Sequence, residues 1–104
     1  MLSSLLALAM MMQSDTTRAS REAFTRCLSQ FVDASMRARK TAEQFQAEFA
    51  QACTAEQTAF RDAIISRDTA MRATRASAEE SARLEIDDAR ANFADRFEAP
   101  RAQP

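Results

Sequence analysis

The chain contains no glycine, histidine, tryptophan or tyrosine, and only two prolines, Pro100 and Pro104. Without glycine, the residue that reaches left-handed backbone angles at little steric cost is missing. That argues against β-hairpins, glycine-rich phosphate loops and tight helix caps. Without histidine there is no Ser-His or Cys-His nucleophile and no imidazole to ligate a metal. No proline interrupts the interior, so nothing of that kind forces a helix to kink. No apolar run is long enough to cross a bilayer, and beyond the first dozen residues there is no long apolar run at all. These absences leave an all-α chain for which catalysis is not expected.

The 104 residues suffice for one modest domain and not for two. The net charge of −1 is unevenly spread: residues 18–40 carry six basic groups against Glu22 and Asp33, whereas residues 41–98 carry seven arginines against twelve acids. A basic first helix packed beside an acidic remainder accounts for this. A nucleic-acid partner is not expected, because the acidic half neutralises the basic one.

Residues 1–12 read MLSSLLALAMMM, uncharged and apolar, and polar Gln13-Ser14-Asp15-Thr16 follows. A dozen apolar residues are too few for a transmembrane helix but suit the apolar region of a secretory signal peptide. Ala7-Leu8-Ala9 is a cleavage pattern of the A-x-A kind, with cleavage near Gln13 or Ser14 as the alternative; no basic residue precedes Arg18. Residues 1–14 are therefore assigned to a signal peptide, 15–98 to a single helical domain and 99–104 to a disordered tail. No membrane span is expected in the mature chain.

The two cysteines organise the rest. A helix expected over 17–39 carries Phe24, Cys27, Leu28, Phe31 and Val32 at spacings of three and four. It ends in Arg37, Arg39 and Lys40, cations that suit the negative end of the helix dipole. Thr41-Ala42-Glu43-Gln44 then forms a capping box that opens a second helix, expected over 42–65. Folding the chain back at Lys40 sets residues whose numbers sum to 80 face to face: Cys27 with Cys53, Leu28 with Ala52, Phe31 with Phe49. Helix axes roughly 8–10 Å apart, with Cα atoms about 2.3 Å from each axis, bring facing Cα atoms to about 4–5.5 Å. A disulfide accepts that separation. The sequence thus predicts an antiparallel hairpin closed by Cys27–Cys53, with Phe24, Leu28, Phe31, Phe45, Phe49, Ala52 and Phe60 as its core.

A third helical segment is expected over 66–98, either continuous with the second or folded back to complete a three-helix bundle. No glycine or proline marks a bend, and Asp68–Arg72, Arg75–Glu79 and Glu79–Arg83 are i,i+4 pairs that support a solvated helix. The continuous helix is the favoured form. Ser77-Ala78-Glu79-Glu80 offers a capping box if the chain does turn. On the continuous helix, Ile86, Phe93 and Phe97 form an exposed apolar end, a candidate interaction surface for a protein partner or a second copy.

Glu56 interrupts the stripe of the second helix, where a solvated edge position is the simpler reading. Both thiols with Glu56 would be a sparse metal site, and none is assigned. Glu79, Glu80, Glu85, Asp87 and Asp88 lack the spacing and the glycine of a calcium loop. No cofactor or small-molecule motif is evident. Thr41-Ala42-Glu43-Gln44 recurs as Thr54-Ala55-Glu56-Gln57, and this T-x-x-Q pair resembles the L-T-x-x-Q motifs of the Spy/CpxP-like periplasmic chaperones. Lys40 and Cys53 stand where that family has leucine, so no family residue is carried over. The functional expectation is a small exported helical protein, periplasmic or secreted from a bacterium, acting through protein contacts. A periplasmic chaperone-like or stress-sensing role, which the resemblance implies, is one alternative; a cytosolic coiled-coil assembly protein is the other.

Overall fold

The structure, a computed structural model, describes the backbone of residues 2–102 and the side chains of Leu8 and residues 11–100. The expectations for most side chains of the leader and for the end of the tail lie outside the described residues. Four helices follow one another: α1 (Leu2–Arg37), α2 (Ala42–Phe49), α3 (Thr54–Ala70) and α4 (Arg75–Ala102). No strand occurs among the described residues. The chain is all-α, and it folds as a bundle of three layers in which the second is broken into α2 and α3.

The turn after α1 falls at the expected place. Arg39 takes a left-handed conformation (φ 54°), and the Lys40 N–H donates to the Ser35 carbonyl at 3.2 Å. This is the six-to-one hydrogen bond of a Schellman cap, which satisfies a carbonyl that the helix end leaves free. Thr41 then caps α2 as a full capping box: the Gln44 N–H donates to Thr41 Oγ1 at 3.1 Å, and the Thr41 N–H donates to Gln44 Oε1 at 3.0 Å.

The continuous helix favoured from the sequence does not form. Residues 71–74 reverse the chain, and α4 returns beside both α3 and α1. The reversal repeats the first one: Arg72 is left-handed (φ 70°), and the Ala73 N–H donates to the Asp68 carbonyl at 3.0 Å. The cap of α4 is Thr74, whose Oγ1 accepts from the Ser77 N–H at 3.1 Å, and not Ser77. Of the expected ion pairs, Arg75–Glu79 forms at 3.0 Å, while Asp68 pairs with Arg67 and Arg83 pairs with Glu80 and Asp87. A left-handed non-glycine residue costs about 1–2 kcal/mol. Burying one Ile or Phe side chain returns about 1.5–3 kcal/mol. Folding α4 back buries Ile86 and Phe97 together with Ala78 and Ala82, so burial outweighs the backbone cost.

Ile86 and Phe97 are consequently core residues, not an exposed surface; Phe97 has no solvent exposure and Phe93 is half-buried. α4 continues past position 98, carries Pro100 in its last turn and ends at Ala102.

α1 is packed by α3 and α4 together, which turns its buried stripe relative to a two-helix hairpin. Phe24, Leu28 and Val32 point inward, each i to i+4, and Ser35 extends the row. Cys27 and Phe31 move to the flank, half-buried, as does Ala52, so Phe31 and Ala52 are not full core residues as the hairpin register expects. Phe24 meets Phe60 at 5.8 Å between ring centroids, and Phe31 meets Phe45 and Phe49 at 6.0 Å each. Phe45 stacks on Phe97 at 3.9 Å, the contact that draws α2 onto α4.

Two stability measurements check this arrangement. By urea denaturation, Phe45→Ala is expected to lose about 3–5 kcal/mol, the range for truncating a buried aromatic, and half-buried Phe31→Ala clearly less. Arg72→Gly is expected to gain about 0.5–1 kcal/mol by relieving the left-handed residue.

Candidate functional site

The centre of the molecule is the break between α2 and α3. The Gln51 and Ala52 N–H groups donate to carbonyls three residues back, Glu48 and Phe49, each at 3.1 Å, which tightens the end of α2. Cys53 is then left-handed (φ 63°) and becomes the N-terminal residue bordering α3, with no side-chain cap of its own. Its sulfur is bonded to Cys27, at a Cα–Cα distance of 6.0 Å and a sequence separation of 26. The expected pair is therefore formed. It fastens α1 to a kink, where the sequence led us to expect an unbroken helix.

Arg90 of α4 holds that kink from the other side. Its guanidinium donates to the Phe49 carbonyl at 2.9 Å, to the Ala52 carbonyl at 2.6 Å and to Gln57 Oε1. The same group lies over the rings of Phe49 and Phe24, at 5.2 and 5.6 Å from their centroids. Burial pulls the Arg90 pKa below the ordinary guanidinium value. The charge is retained because each of the three nitrogens donates to an oxygen, and the fork of planar donors serves several acceptors at once. Arg90 is not among the site residues expected from the sequence. Its signal was present: Ile86, Arg90, Phe93 and Phe97 are spaced four, three and four, so the arginine occupies an apolar-stripe position.

Because α2 leans onto α4, a shallow depression of about 720 Å³ opens between α1 and α2. The disulfide, Phe31, Ala47 and Ala52 line it, with Gln30, Glu48 and Gln51 also at its walls. Lys40 pairs with Glu48 at 2.6 Å and sets its ammonium 4.8 Å from the Phe31 ring centroid. The depression is thus apolar with amide groups and one ion pair, and both cysteines are reached by solvent. No protein-family model, no curated protein and no solved structure matches this chain.

Glu56, in the first turn of α3, is half-buried beside the disulfide. Its carboxylate and the two sulfurs all lie within 4.8 Å of one another. The T-x-x-Q repeat separates into two local roles: Thr41 caps α2, whereas Thr54 is the first helical residue of α3 and Gln57 receives Arg90. The remaining candidates serve packing. Phe93 lies under the Arg96 guanidinium at 5.3 Å, and Arg96 reaches across to Asp33 at 2.8 Å.

Removing the arginine tests the clasp. Arg90→Ala leaves the Ala52 carbonyl and Gln57 Oε1 without their donor and the Phe49 carbonyl with the Ala52 N–H alone, and a buried orphan acceptor costs about 1–3 kcal/mol. The expected result is a marked fall in the urea midpoint and faster reduction of Cys27–Cys53 by dithiothreitol. Arg90→Lys is expected to recover little, since a single ammonium cannot span the three oxygens.

Proposed function

We propose that this chain is a small exported helical protein, periplasmic or secreted from a bacterium, that acts through protein contacts and not through catalysis. The observation that carries the reading is where the packed body starts. Thr17 is the first buried residue among those described, and the bundle makes no use of Leu8, Met11 or Met12, which are 57%, 67% and 68% exposed. Apolar side chains that a fold leaves exposed serve another purpose, and a leader for export is the simplest one. The bonded cysteines suit an oxidising compartment. No helix of the described residues is long and apolar enough to cross a membrane. With no histidine in the chain and no free thiol, the usual activated nucleophiles are missing.

The depression between α1 and α2 supports a second, narrower reading, that of a chaperone-like protein whose shallow apolar face holds unfolded segments of its clients. Suppression of client aggregation by the purified oxidised protein would favour it; no suppression at molar excess would remove it.

Export is tested by expressing the full chain in a bacterium, fractionating the cells and measuring intact mass. The expected species lies outside the cytosol, lacks the residues up to about Gln13–Ser14 and weighs two hydrogens less than its reduced form. Recovery from the cytosol of a chain beginning at Met1 with two free thiols would overturn the reading.

A further inference from the structure

We infer that reduction of Cys27–Cys53 converts this clasp into a three-donor site for a thiophilic divalent cation, zinc in particular, built from Cys27, Cys53 and Glu56. The two sulfurs and the Glu56 carboxylate already lie within 4.8 Å of one another, and all three residues are half-buried. Glu56 has no hydrogen-bond or ion-pair partner among the described residues, so its oxygens are available to the site. Two thiolates on a tetrahedral zinc, each at about 2.3 Å, sit roughly 3.8 Å apart. The 6.0 Å between the Cα atoms permits that opening by side-chain rotation. Three protein donors leave the fourth tetrahedral position to water, the pattern of an open zinc site.

The donor set selects the cation. Two thiolates favour zinc over calcium or magnesium, which prefer oxygen ligands. Zinc with two thiolates and one carboxylate carries a net charge of −1. The Arg90 guanidinium, bonded to Ala52 and Gln57 on either side of this segment, supplies a neighbouring positive charge.

The step balances with a dithiol as reductant. One of its thiolates attacks a protein sulfur to give a mixed disulfide, and its second thiol closes to release an oxidised dithiol. The protein gains two electrons and two protons as two thiols. Zinc binding then forms two Zn–S bonds and one Zn–O bond, and releases the two thiol protons. Either closure, covalent or through the ion, fastens the same point of α1 to the start of α3. The inference does not depend on export.

Cobalt(II) is the probe. The full chain is reduced with a phosphine under argon, freed of reductant and titrated with cobalt chloride. The expected result is one equivalent bound per chain, with an intense thiolate-to-cobalt charge-transfer band, tetrahedral visible bands and displacement of both by zinc. The oxidised protein should show neither. Even outer partners of metal ligands cost about 10–100-fold in affinity when removed, so Glu56→Gln should weaken binding by at least that factor. Oxidised Glu56→Gln should melt like the oxidised wild type, which separates lost affinity from lost folding. Should the reduced chain unfold, zinc must restore its helical circular dichroism. No charge-transfer band and no such recovery, equal binding by the oxidised protein, or undiminished affinity in Glu56→Gln would each overturn the site.

Discussion

Arg90 bears the central constraint of this fold. A helix broken at residues 50–53 leaves the Ala52 carbonyl outside the helical ladder and the Phe49 carbonyl with only the tightened bond from the Ala52 N–H, and one guanidinium from α4 takes both. Orphaned buried acceptors are costly, so α2, α3 and α4 are tied at one point. The disulfide adds α1 to the same point. The stacking of Phe45 on Phe97 draws α2 onto α4 on the far side of the same break, and the depression between α1 and α2 lies beside it. Arg90 is thus half-buried for a structural reason: its fork and its ring contacts answer the polar and apolar sides of the break together.

The parts that could be read in advance are those with local chemical marks. Thr41 with Gln44 is a self-contained hydrogen-bonding pattern, and the cationic run before it marks the end of α1. The symmetric placement of Cys27 and Cys53 about that turn made their bond legible as well. What escaped is decided at a distance. Ala50-Gln51-Ala52-Cys53 is ordinary helix-forming sequence, and only Arg90, far along the chain, makes a break there tolerable. The reversal at Arg72 has a cap residue beside it in Thr74, but nothing local that forces the helix to stop. Lack of glycine was a reason to expect no second turn, yet the three left-handed positions among the described residues, Arg39, Cys53 and Arg72, are filled by other residues. Burial of Ile86 and Phe97 settles the matter, and burial is not a property of residues 71–74.

The candidate site shows the same division. That the cysteines would meet was visible in their spacing, and Glu56 stood out as a carboxylate on an apolar stripe. That all three would meet at a kink was not. On an unbroken helix Cys53 and Glu56 are simply one turn apart. The left-handed Cys53 instead ends one run of helix and begins another, which places the sulfur at the head of α3 beside the first-turn carboxylate.

The charges on the α1–α4 seam bear on which way the last helix runs. Arg21 meets Glu85 at 2.9 Å near one end, and Asp33 meets Arg96 at 2.8 Å near the other, with the two helices parallel. Exposed pairs of this kind contribute only about 0.2–1 kcal/mol each to stability. Their arrangement matters more than their strength. Reversing α4 about the midpoint of the seam would set Arg21 against Arg96 and Asp33 against Glu85, like charge on like at both ends. The two pairs therefore act as a polarity key: they add little to the native topology while penalising the antiparallel arrangement of α4 on α1, whether α4 comes from the same molecule or from a neighbouring one.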